Sequence, residues 1–172
     1  MKLIIFNCLF LMALLTTNMS SYAAALSNAG ERAEVAAKNM ANFIDYQLFH
    51  RVKEQFSDRV KYEVDGKVQM LTSDQVILRL ESIKGYFDAT KHTLKNFQFS
   101  DTKKTGQADF TEKHTKWDDK NVKRNITIHG KYFFEFEETK DRTMKIKALK
   151  IMPEKFEGDT YLWKEALKQI KS

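Results

Sequence analysis

Cysteine is almost missing from this chain: its 172 residues include one, Cys8, beside one proline and six glycines. So little proline and glycine excludes a collagen-like or proline-rich chain. No glycine-rich phosphate loop is present, and no serine stands in a nucleophile-elbow context. Nucleotide-binding, kinase and serine-hydrolase classes are thereby set aside. Arginine-rich or aromatic-interleaved basic stretches are also lacking. The net charge of +6 is spread through Lys103-Lys104, Lys113, Lys116, Lys123-Arg124, Lys145, Lys147 and Lys150. Acids interrupt it at Asp118-Asp119, Glu135, Glu137 and Glu138, so no nucleic-acid partner is expected. The four histidines, His50, His92, His114 and His129, form no short ligand pair, and neither a metal nor another cofactor is expected. What is present is 42% hydrophobic and 30% charged residues, the composition of one compact domain with a real core.

The N-terminus reads as a targeting segment. Lys2 supplies a positive start, Leu3 to Leu15 an apolar core broken by Asn7, and Ala23 and Ala25 the small residues of a cleavage site. The apolar run is short of the ~20 residues that span a bilayer, so residues 1–25 are expected to be a cleaved secretory signal, with no transmembrane segment after cleavage. The expected domain is 26–172. Cys8 leaves with the signal, and a cysteine-free exported domain must be held by its core alone. That fits a periplasmic or secreted protein of the bacterial envelope.

Hydrophobic periodicity sets out the elements. Ala37, Met40, Ile44, Leu48, Val52 and Phe56 recur at helical spacing and predict one long helix from Glu31 to about Phe56, ended by Asp58-Arg59. Val60, Tyr62 and Val64 alternate with charged residues as a strand, Asp65-Gly66 turns the chain, and Lys67 to Leu71 returns. Thr72 and Gln75 make a capping box for a second helix, which Gly85 can end. Four strand-like runs follow: Thr90 to Phe99, Gln107 to Trp117, Val122 to Glu137, and Thr143 to Met152. In the third, Val122, Ile126, Ile128, Tyr132, Phe134 and Phe136 form an apolar parity, and the hairpin links at 118–121 and 140–142 imply an antiparallel sheet. In the last, Met144, Ile146 and Ala148 give way to Leu149 and Ile151, a parity switch that marks a bulge. Asp159 is placed to cap a C-terminal helical extension, 159–172, whose apolar face is Leu162, Trp163, Ala166, Leu167 and Ile170.

This order is α+β, a curved sheet wrapped against helices as a cone. With the strings from Phe56 to Gly66, Phe87 to His92 and Gly130 to Phe136, it resembles the nuclear transport factor 2-like superfamily in its SnoaL-like branch, over roughly 31–153. Members include isomerases, cyclases, dehydratases and non-catalytic binding or assembly modules, so the resemblance implies a pocket and leaves the reaction open. The base aspartate of the ketosteroid isomerases falls on Val64, flanked by Glu63 and Asp65, and their oxyanion acid falls near Tyr132. SnoaL-like enzymes instead use a histidine and an aspartate inside the cone. Here that implies His92 with Asp45 or Asp65 as candidate catalytic residues, and Tyr46, Tyr62, Phe87, Tyr132 and Phe134 as candidate pocket residues. Three readings follow: a binding protein for a small apolar or amphipathic molecule, an acid/base enzyme, and an assembly subunit. A homodimer through the open sheet face belongs with the last, although only Phe133 makes the outer parity of the third long run apolar.

Overall fold

The computed structural model describes residues 28–169, so the signal segment and Ile170 lie outside the described residues. Helix α1 spans Ala29–Asp45. The Asn28 side chain caps it by accepting from the Glu31 N–H at 2.8 Å, and Ala33, Ala36, Ala37, Met40 and Ile44 line its buried stripe. The helix foreseen as continuous to Phe56 stops at Asp45. Gln47 takes a left-handed conformation (φ 57°), and a short helix, α2, restarts at Phe49–Glu54. Of the residues that continued the helical spacing, Val52 is fully buried, while Leu48, in the break between the two helices, is exposed. Phe56 already belongs to strand β1, Phe56–Val64, and Ile146 N–H donates to Gln55 C=O at 2.7 Å where the strand begins.

Strand β2, Lys67–Thr72, returns beside β1 through the Asp65-Gly66 turn, where both residues have positive φ. Helix α3, Ser73–Tyr86, opens on the capping box read from the sequence: Thr72 Oγ1 accepts from Gln75 N–H and Gln75 Oε1 accepts from Thr72 N–H. It runs through Gly85 and ends at Phe87. Strands β3 (Ala89–Ser100), β4 (Thr105–Trp117), β5 (Lys123–Glu138) and β6 (Met144–Gly158) form an antiparallel meander. The sheet order is β2-β1-β6-β5-β4-β3. One pairing departs from expectation: β1 and β6 run parallel. The hairpin links fixed only the sequential pairs; β1 meets β6 across most of the chain, and no local signal announces such a pairing.

The inner parity of β5 is as expected, with Ile126, Ile128, Tyr132, Phe134 and Phe136 buried, while Val122 precedes the strand and is exposed. The parity switch in β6 is a bulge. Pairing passes from Phe136↔Ile146 to Glu135↔Ala148, which leaves Lys147 without a partner and turns Leu149 and Ile146 both inward. The last helix, α4, spans Tyr161–Lys168 and buries Leu162, Trp163 and Ala166. Its N-cap is Thr160, with no side-chain cap bond, and not Asp159. The Asp159 carboxylate instead accepts from Asn125 N–H at 3.0 Å and ties the exit of β6 to the start of β5. A backbone group at the sheet was available to the carboxylate and left the helix end uncapped.

Gly130 shows how closely the sheet is packed. A Cβ there would stand 2.2 Å from Met152 C=O and 2.9 Å from the Phe110 ring, which covers the glycine and stacks on Tyr132 with centroids 4.4 Å apart. Gly130→Ala should therefore cost about 1–3 kcal/mol through overpacking. Urea unfolding should show a lower midpoint at an unchanged m value.

Candidate functional site

The C-terminal end of α1 delivers a carboxylate to the sheet. Both oxygens of Asp45 accept the backbone N–H of His92 on β3, at 3.0 and 2.8 Å, and Oδ1 lies 2.5 Å from His92 Nδ1. An ionised carboxylate only accepts, so Nδ1 carries a proton and Nε2 becomes the atom available for other work. Nε2 lies 3.5 Å from Glu112 Oε1 on β4. Glu112 also accepts from the Tyr132 hydroxyl, and its Oε2 lies 3.2 Å from His114 Nε2. At its other nitrogen His114 meets Thr90 Oγ1 at 3.1 Å. Phe87 stacks on the His114 ring with centroids 4.3 Å apart, and Trp163 of α4 stacks on it at 6.1 Å.

His92, Glu112, His114, Thr90 and Tyr132 line a partly open cavity of about 40 Å³ together with Tyr62 of β1, Met40 and Ile44 of α1, Leu80, Ile83 and Lys84 of α3, Leu149 and Ile151 of β6, and Trp163. Two donors in its wall lack any hydrogen-bond partner among the described residues: Tyr62 Oη and Trp163 Nε1, both buried. The electrostatics follow from the pairing. Burial opposes the His92 imidazolium, but the Glu112 carboxylate and the bond to Asp45 outweigh it and raise its pKa above the ordinary 6.5. Burial likewise opposes the Glu112 carboxylate, yet His92, the His114 bond and the Tyr132 hydroxyl hold its pKa down to about 2. The Tyr62 and Tyr132 hydroxyls are pushed up, first by burial and then by the Glu112 charge. Asp45 and Glu112 thus both favour the charged form of the imidazole between them.

Of the residues expected from sequence, the structure brings together His92, Asp45, Tyr62 and Tyr132. Asp65 sits exposed in the β1–β2 turn, where a positive φ carries its side chain off the strand face. Tyr46 lies just past the end of α1 and is 76% exposed, because the chain turns there instead of continuing as helix. Phe87 supports His114 from behind, and Phe134 belongs to the aromatic core with Phe136 and Tyr132, beside the cavity and not in its lining. At the isomerase-like position no carboxylate faces inward: Val64 packs on the core, and Glu63 pairs with Lys150 at 2.8 Å on the other face. Sequence reasoning missed Glu112 and gave His114 no role. A signal was there. On β4 the buried parity runs Gly106, Ala108, Phe110 and continues onto Glu112 and His114, two ionisable groups on an apolar face.

No protein-family model and no curated protein matches the sequence. Solved structures do match the fold. A protein from Kribbella flavida superposes with a TM-score of 0.69 at 15% identity, over 78% of this chain and 95% of that one. A nuclear transport factor 2-like protein of unknown function from an Exiguobacterium species gives 0.55 at 16%, over 69% and 98%. A provisionally assigned scytalone dehydratase from Novosphingobium aromaticivorans gives 0.60 at 15%, over 72% and 83%. The chain has the nuclear transport factor 2-like, SnoaL-like cone fold, as its sequence strings implied.

The proton inventory sets a pH profile. The raised His92 pKa contributes stability that is complete below about pH 6.5 and lost as pH rises through the folded pKa. The depressed Glu112 pKa contributes stability present above about pH 4.5 and lost as pH falls toward about 2. Unfolding free energies measured by urea should therefore decline on both sides, and His92→Gln should flatten the alkaline limb. Ring C–H shifts in NMR titrations should place the His92 midpoint above 6.5.

Proposed function

We propose that this chain is an exported acid/base enzyme of the dehydratase or isomerase type, acting on a small amphipathic molecule inside the cone. The observation that carries the reading is the His92–Asp45 pair: His92 is buried in the wall of a cavity, its Nδ1 bonded to the part-buried Asp45 carboxylate and its Nε2 turned toward Glu112 of the lining. The carboxylate fixes the ring orientation and stabilises the imidazolium, the support a histidine needs to shuttle a proton. In its charged form His92 gives a proton to a leaving oxygen, and once neutral it can take one from carbon. Glu112 beside Nε2 favours the charged form, the form that donates. A dehydratase among the structures of this fold supports the class of reaction. The positive start, apolar run and alanine cleavage site of residues 1–25 support work in the bacterial envelope.

The cavity is partly open but only about 40 Å³, far below the ~300–1,000 Å³ of a typical ligand pocket. A substrate must displace part of the wall. Helix α4 is the readiest part: it has eight residues, no side-chain cap bond, and carries Trp163 onto the cavity. The apolar lining, Met40, Ile44, Leu80 and Ile83, favours a second reading, a binding module that holds its ligand and does no chemistry.

A panel of β-hydroxy ketones and carbon acids in deuterated buffer separates the two. The enzyme reading expects dehydration or deuterium wash-in, reduced about 10²–10⁴-fold by His92→Gln and strongly by Asp45→Asn. A ligand that co-purifies equally with the parent protein and with His92→Gln, while neither turns over any panel member, would replace the enzyme with the binding module.

A further inference from the structure

The cavity is balanced in charge but not in hydrogen bonds. With His92 in the charged form that its neighbours favour, His92 and Lys84 stand against Asp45 and Glu112, and the four charges cancel. The carboxylate oxygens are all engaged: Asp45 by His92 N–H and Nδ1, Glu112 by Tyr132, His114 and His92. Tyr132, which falls near the oxyanion-acid position of the isomerases, gives its proton to Glu112 and has none left for a ligand. Two other donors do. Tyr62 Oη and Trp163 Nε1 have no hydrogen-bond partner among the described residues, although the two residues are only 3% and 8% exposed. A buried donor without an acceptor is costly and calls for an explanation. Both residues line one cavity of about 40 Å³, the room of a single small group. Outside that lining, Arg79 lies 5.9 Å from the Tyr62 ring centroid, and Asp65 acts on the same hydroxyl with the opposite sign.

We propose that the cavity takes an uncharged carbonyl compound with an apolar body, its carbonyl oxygen accepting from the Tyr62 hydroxyl and the Trp163 indole N–H. This inference rests on the cavity being the working site and names its substrate class. A carbonyl oxygen has two lone pairs, which matches two donors. It brings no proton of its own, which suits a wall whose carboxylates are already engaged. An ion of either sign would leave water for a wall that holds no charge to match it. The apolar body meets Met40, Ile44, Leu80 and Ile83. Trp163 sits on α4, so the helix readiest to give way at entry also carries one of the two donors that hold the ligand.

The test uses the purified protein and three probes of nearly equal shape: 4-phenylbutan-2-one, the anion 3-phenylpropionate, and 4-phenylbutan-2-amine as its ammonium. Isothermal titration should show the ketone binding at least ~10-fold tighter than either ion, since neither ion finds an unmatched charge. Tyr62→Phe removes only the hydroxyl and should weaken the ketone about 5–10-fold, the loss of one hydrogen bond. The infrared stretch of the ¹³C-labelled carbonyl should fall on binding and recover part of that shift in Tyr62→Phe. The Trp163 indole N–H signal, told from that of Trp117 by Trp117→Phe, should move downfield when the ketone binds. The unliganded Tyr62→Phe protein should melt no lower than the parent, because the hydroxyl it loses has no partner. Either ion binding as tightly as the ketone, or no binding of any probe, would overturn the proposal. So would a carbonyl stretch unmoved by Tyr62→Phe, an indole signal that stays in place, or a lower melting temperature of the unliganded variant. The acid/base reading fails separately. Turnover lost in His92→Gln with no ketone preference leaves the enzyme standing without this ligand class. A Tyr62-dependent ketone preference without turnover of any panel member leaves the ligand class standing without the enzyme.

Discussion

A buried imidazole held between a buried carboxylate and a part-buried one sets the terms for the rest of the fold. A charge removed from water is tolerated only when it is paired and hydrogen-bonded. Asp45 stands at the C-terminal end of α1, where the helix dipole works against a negative charge by about 0.3–1 kcal/mol. No basic residue occupies that last turn. The compensation comes from another element: the His92 N–H and ring of β3, two bonds to a charged group that are each worth more than the dipole costs. The helix must therefore end where it does. Carried on to Phe56 as one rod, it would hold the following residues on its own axis; the left-handed Gln47 lets the chain leave and feed Phe56 into the sheet.

The aromatic side chains serve this cluster more than they serve a large pocket. Phe110 covers Gly130 and stacks on Tyr132, whose hydroxyl is thereby directed at Glu112. Phe87 and Trp163 stack on His114, which presents one nitrogen to Glu112 and the other to Thr90. Each ring excludes water from a charged bond, and in a drier setting each such bond is stronger and each unpaired group more costly. Packing and electrostatics are here one arrangement.

Much of this was legible in the sequence, and the failures have physical causes. The long alternation of β5, the capping box of α3 and the parity switch of β6 are local patterns, and local patterns survive folding. The pairing of His92 with Asp45 came from the resemblance, with Asp65 as the alternative; choosing between them depended on which way one side chain left its element. A single residue decides that: Asp45 is the last helical residue, while Tyr46 beyond it and Asp65 in a positive-φ turn point to solvent. Glu112 was hidden among Thr111, Lys113 and Thr115, where a charged residue passes for surface unless the parity of Ala108 and Phe110 is carried forward. The parallel contact of β1 with β6 has no sequence signal of its own, since the two strands are joined by no turn and lie at opposite ends of the domain's sequence.

Fold and site then divide the information between them. Structures at about 15% identity keep this backbone over most of their length, so the cone tolerates nearly complete replacement of its side chains. What it does in any one chain is written in the few groups that enter the cone. In this chain those groups come from two sources. The strands and α1 supply the matched set, Asp45, His92, Glu112 and Tyr132, whose demands on one another are met. Helix α4 and β1 supply Trp163 and Tyr62, the lining groups left with a donor to spare. The matched set can move a proton without a ligand's help. The unmatched donors stay without a partner among the described residues until something with an acceptor arrives.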